Sequence, residues 1–110
     1  MTNFRVAVLI SGNGSNLQAM IEEFESSELV DICCVISNKR EAYGLKRASN
    51  ANIDSYFIDH NQYDTRQEFE EQIILTLDKH NPDLVVLAGF MRILSNVLVS
   101  KYSGKLLNIH

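Results

Sequence analysis

Three short stretches of this chain carry groups that could do chemistry together. The first is Ser11-Gly12-Asn13-Gly14-Ser15-Asn16. Its glycines permit a tight turn and close approach of the backbone. A helix opening there presents free N–H groups and the positive end of its dipole at one point, which is an anion site suited to phosphate. The plainer alternative is a Gly-rich turn capped by Ser15. The second stretch is Asn108-Ile109-His110. Residues two apart on a strand project to one face, so an amide and an imidazole would stand side by side. An amide donor beside a group able to give up a proton suits an oxyanion in acyl-type transfer. Histidine changes charge near neutrality. Taken alone, such a pair at a strand end is more often simply solvated. The third stretch is Leu87-Ala88-Gly89-Phe90-Met91-Arg92-Ile93-Leu94. A strand ends at Gly89 and an apolar loop follows, which either walls a pocket for a flat ring or covers the core.

Spacing excludes some ligands. Leu17 holds the third glycine position of a dinucleotide fingerprint, and the second strand ends in Ser37-Asn38-Lys39-Arg40 without an acidic residue. Asp31 precedes that strand, at the wrong edge. A small phosphate ester therefore fits better than NAD. The Gly-Lys-Ser/Thr of a Walker loop is missing too. Arg66 falls in a first helical turn, where it either pairs with Glu70 at i, i+4 or reaches an anionic ligand. His80 reads as a helix-dipole partner and His60 as a loop residue without a role. Glu22, Glu23 and Glu25 read as a solvated helix face.

The elements that must position these groups alternate. Phe4–Ile10 is β-branched and apolar, a buried strand. Asn16–Glu25 has Leu17, Met20, Ile21 and Phe24 at helical spacing. Ile32–Ser37 is a second strand, Ala42–Asn50 a short helix and Ser55–Ile58 a weak third strand. Asp64 or Thr65 caps the next helix, with Gln67 or Glu68 as its capping-box partner and Phe69, Ile73 and Leu77 as its apolar stripe. Asn81-Pro82-Asp83 ends it. Leu84–Ala88 suits a sheet covered on both faces. Ser95 caps a last short helix that ends near Gly104, and Lys105–His110 is a fifth strand. The alternation predicts an α/β fold with a doubly wound, mostly parallel sheet. Stopping inside a strand suggests a fragment of a longer protein.

Composition agrees with a globular domain. The chain has 110 residues, 45% hydrophobic and 22% charged, enough for one core without disulfides. A net charge of −4 discourages nucleic acid as a partner. The apolar run at the start is too short for a membrane span or signal peptide. Cys33 and Cys34 are adjacent, so on a strand they should face opposite sides, unbridged and buried. They lack metal-ligand spacing. The cytoplasm is the default compartment.

Ile10 to Ala19, Ile36 to Lys39, Leu87 to Leu94 and Leu106 to His110 together closely resemble the folate-dependent glycinamide ribonucleotide formyltransferases of purine biosynthesis. The resemblance runs over residues 1–110, as the N-terminal part of a single formyltransferase domain with a Rossmann-like fold. It implies formyl transfer from 10-formyltetrahydrofolate to the amine of glycinamide ribonucleotide, without a metal. It implies that Gly14, Ser15 and Asn16 hold the substrate phosphate. It places Arg66, Met91, Arg92, Ile93, Leu94 and Asn108 against the folate. Asn108 and His110 match the catalytic pair that stabilises the tetrahedral oxyanion. The family continues past the histidine with Pro-Ser-Leu-Leu-Pro and a later aspartate, neither of which is in this sequence. The isolated chain is therefore expected to be inactive and to self-associate through uncovered apolar surface. The competing readings are another folate-dependent formyltransferase, a formyltetrahydrofolate hydrolase, and a non-catalytic phosphate-binding α/β module.

Overall fold

A computed structural model describes residues 3–92 and 94–109. The elements run β1 (Phe4–Ile10), α1 (Ser15–Phe24), β2 (Val30–Ser37), α2 (Tyr43–Asn50), β3 (Ser55–Phe57), α3 (Arg66–His80), β4 (Leu84–Ala88), α4 (Asn96–Lys101) and β5 (Leu106–Ile109). A single 3-10 turn, His60–Gln62, precedes α3. The sheet order is β3-β2-β1-β4-β5 and every pairing is parallel. The order reverses between β1 and β4. In doubly wound sheets the crevice outside the carboxyl ends at such a reversal is where ligands bind.

Strand alternation sorts the core into two layers. Val6, Val8, Ile10, Val35 and Val86 pack with Leu17 and Ile21 of α1 and Ala48 of α2. Ala7, Leu9, Ile36, Val85 and Leu87 face the other way, onto Phe69, Ile73 and Leu77 of α3 and Leu98 of α4. The expected stripe of α3 is thus the one buried. Its N-cap is Thr65, whose hydroxyl accepts from the Glu68 amide at 3.1 Å. Tyr102 closes α4 over the same layer and its hydroxyl donates to Asp78 at 3.0 Å. Burial, reinforced by that carboxylate, pushes the phenol's pKa up. None of the described helices is long and apolar enough to cross a membrane.

Two expectations fail in β2. The strand begins at Val30, so Asp31 lies inside it and pairs with Arg5 at 3.7 Å. The cysteines do not face opposite sides. Val6 is level with Ile32 but Ala7 with Cys34, so Cys33 is an extra residue. This parallel β-bulge turns both cysteines into the α3 layer. Both are buried and unbridged, as expected.

Candidate functional site

The loop after β1 opens α1 at Gly14, not at Ser15. Gly14 is the N-cap at φ +79°, with no side-chain cap, and Ser15 is the first helical residue. The capped-turn alternative therefore fails. The first intrahelical bond runs from the Gln18 amide to the Gly14 carbonyl at 2.8 Å. By helix geometry, the amides just before Gln18 have no intrahelical acceptor. A positive φ favours glycine at position 14. Space demands it as well, because a Cβ there would stand 2.7 Å from the Gly44 Cα.

Gly44 belongs to α2 and is the second half of that contact. Its amide donates to the Gly12 carbonyl at 3.2 Å. A Cβ on Gly44 would collide with the Ile10 side chain. One turn on, Arg47 reaches back to the loop. Its Nε donates to the Asn13 carbonyl at 2.8 Å and its terminal nitrogen to Asn13 Oδ1 at 2.6 Å. Its guanidinium stacks 4.7 Å from the Tyr43 ring centre. Neither Gly44 nor Arg47 was singled out from the sequence. The available signal was a glycine near the start of a short predicted helix, a mark of close backbone approach.

Ser11 ties the loop to its neighbours on either side. Its hydroxyl donates to Asn38 Oδ1 at 2.6 Å and accepts from the Met91 amide at 2.7 Å. The buried Asn38 amide nitrogen is 3.3 Å from His60 Nδ1. An amide NH₂ only donates, so that ring nitrogen accepts. His60 is thus part of the site's scaffold and not a bare loop residue. Lys39 and Arg40 follow Asn38 and, with Asn13 and His60, line an open cavity of about 710 Å³ beside the loop. Glu41 and Asp59 line it as well, so its rim carries charges of both signs.

The loop after β4 is anchored at both ends. Met91 hangs on Ser11. At the far end, Glu70 of α3, fully buried, accepts from the Ser95 amide at 2.6 Å, the Ser95 hydroxyl at 2.9 Å and the Leu98 amide at 3.1 Å. Those amides open α4, where an anion also meets the favourable end of the dipole. Glu70 is therefore not a partner for Arg66. Arg66 is exposed at the start of α3 and forms no salt bridge among the described residues.

Leu87, Phe90, Met91, Arg92, Leu94 and Asn108 share a second cavity, of about 540 Å³, also lined by Val99 and Leu106. The apolar walls suit a flat ring. Arg92 Nε is buried without a hydrogen-bond partner among the described residues. Asn108 lies level with Leu87 on β5 and is exposed. Ile93 and His110 lie outside the described residues.

Residues 4–110 match the formyl transferase family model. The chain is 47% identical over 106 residues to the phosphoribosylglycinamide formyltransferase of Escherichia coli, covering 96% of this chain and 50% of that protein. It is 53% identical over 109 residues to the human trifunctional purine biosynthetic protein adenosine-3, covering 96% of this chain but 11% of that one. Among solved structures, it superposes on the phosphoribosylglycinamide formyltransferase of Coxiella burnetii with a TM-score of 0.94 and 47% identity, over 99% of this chain and 52% of that one. The Brucella melitensis enzyme gives a TM-score of 0.95 at 36% identity, over 99% and 57%. The chain thus spans about half the length of these bacterial relatives.

Proposed function

The chain belongs to the formyl transferase family, and from that premise we propose that it is the N-terminal part of a glycinamide ribonucleotide formyltransferase domain. The complete protein moves a formyl group from 10-formyltetrahydrofolate to the amine of glycinamide ribonucleotide in purine biosynthesis, in the cytoplasm. The observation that carries this reading is the α1 N-terminus. It has no side-chain cap, is locked by Gly14 against Gly44, and opens at the sheet's reversal point.

Gly14, Ser15 and Asn16 hold the substrate phosphate through main-chain N–H groups and the helix dipole. The cavity of Leu87, Phe90, Met91, Arg92 and Leu94 takes the pterin ring, with the orphaned Arg92 Nε free to donate to it. Ile93, outside the described residues, is assigned to the folate by the family resemblance alone. Arg66, exposed and without an ion pair among the described residues, reaches the anionic part of the folate.

The substrate amine attacks the formyl carbon, so that a C–N bond forms and the carbonyl oxygen takes the negative charge. Asn108 donates its amide N–H to that oxyanion, and protonated His110 supplies the second stabilising group. Collapse of the intermediate breaks the bond to the folate nitrogen. The proton lost by the amine passes to that nitrogen through His110 or a water beside it. The remaining half of the domain completes the folate pocket, so the isolated 110 residues turn over negligibly. They also associate through the apolar face of Phe4, Met20, Phe24, Leu107 and Ile109.

Calorimetric titration of the complete protein tests the phosphate assignment. Glycinamide ribonucleotide should bind at one site per chain, and the dephosphorylated riboside should bind at least about 100-fold more weakly. Equal binding of the two would remove the loop from the substrate site.

A further inference from the structure

The bulge in β2 assembles a second group of reactive side chains at the opposite, amino-terminal end of the sheet. Cys33 and Cys34 enter the α3 layer together, and His80, in the last turn of α3, meets them there. One ligand atom from each, two thiol sulfurs and a ring nitrogen, lies within 4.8 Å of the other two. The Tyr56 hydroxyl is 2.6 Å from His80 Nε2 and holds the ring in place. Arg5 donates to the His80 carbonyl at 2.8 Å and fixes the end of α3. Formyl transfer uses none of these groups.

We propose that Cys33, Cys34 and His80 form a binding site for a thiophilic d¹⁰ metal ion, zinc or cuprous copper. Two thiolates and an imidazole are the soft donor set that selects these ions over magnesium or calcium. Binding releases one proton from each thiol, and the two sulfurs and the nitrogen then bind the cation. A disulfide is the poorer outcome for this pair. Adjacent Cα atoms across a trans peptide are about 3.8 Å apart, below the usual disulfide range.

The test is titration of the complete, fully reduced protein with Zn(II) and, anaerobically, with Cu(I), each in competition with a chromophoric chelator. The wild type should bind one equivalent of one or both ions at this site. Cys33→Ala, Cys34→Ala and His80→Gln should each weaken that binding by at least about tenfold, and the double cysteine variant should abolish it. The two arms distinguish zinc from copper. Should a buried variant fold poorly, the wild type alone still decides. Under partly denaturing conditions that expose both thiols in the metal-free protein, bound metal must protect Cys33 and Cys34 from alkylation, as mapped by mass spectrometry. No binding, binding unchanged in the double variant, or alkylation indifferent to metal would each overturn the proposal.

Discussion

Asn13 and Gly14 are gripped from behind by α2, through the Gly14–Gly44 contact and the two Arg47 bonds, and from the side by Ser11 through Asn38 and Met91. Asn108 is placed quite differently. Its strand pairs only with β4 among the described residues, and Leu107 beside it is 48% exposed. Both regions sit at the carboxyl edge of one sheet. With Gly14 binding the phosphate and Asn108 acting on the oxyanion, as proposed, this difference would separate binding from chemistry in this half. The loop of Gly14 carries its own scaffold and is pre-organised. Asn108, the proposed oxyanion donor, sits on a strand paired on one side among the described residues, with Leu107 exposed beside it.

The comparison should break most visibly at Glu70. Removing its carboxylate in Glu70→Ala strands the Ser95 and Leu98 donors, at a cost of about 3 kcal/mol. Thermal melting should show a loss of roughly 10 °C, and the cavity of Arg92 and Asn108 should suffer more than the loop of Gly14. Gly14→Ala comes next. A Cβ at φ +79° and 2.7 Å from the Gly44 Cα costs about 2 kcal/mol, and substrate affinity measured by calorimetry should fall at least about tenfold. An unchanged affinity would mean that the loop tolerates the shift and that its lock is not needed.

Arg47→Ala leaves the glycines alone and removes only the grip on Asn13. It should cost about 1 kcal/mol of substrate binding, read as an approximately fivefold rise in Kd. The smallest structural effect belongs to Arg66→Ala. Its side chain is exposed and has no salt bridge among the described residues, so melting should be unchanged within about 2 °C. The KM for the formyl donor should nonetheless rise several-fold. A fall in stability with an unaltered KM would make Arg66 structural.

Element types and order were legible because they rest on local pattern. Leu84–Ala88 is the observed β4, and Phe69, Ile73 and Leu77 are the buried stripe of α3. The Gly-rich loop was legible as the turn that opens α1 for the same reason. The misses all depend on contacts distant in sequence. The bulge at Cys33 arises from the register against β1, so nothing local shows that two adjacent thiols share a face. Glu70 looks like a helical partner for Arg66 four residues away, yet its partners are Ser95 and Leu98. Gly44 and Arg47 act on a loop some thirty residues earlier, visible only once α1 and α2 pack together.

The separation of binding from chemistry is tested most directly at Asn108. In the complete protein, Asn108→Ala should be compared with the wild type for its Kd for glycinamide ribonucleotide and its kcat for formyl transfer. The expected result is a Kd within about twofold and a kcat reduced about 100- to 1,000-fold, the loss expected for one oxyanion donor. A Kd that rises while kcat holds would contradict it, making Asn108 a binding residue and leaving the oxyanion to another group.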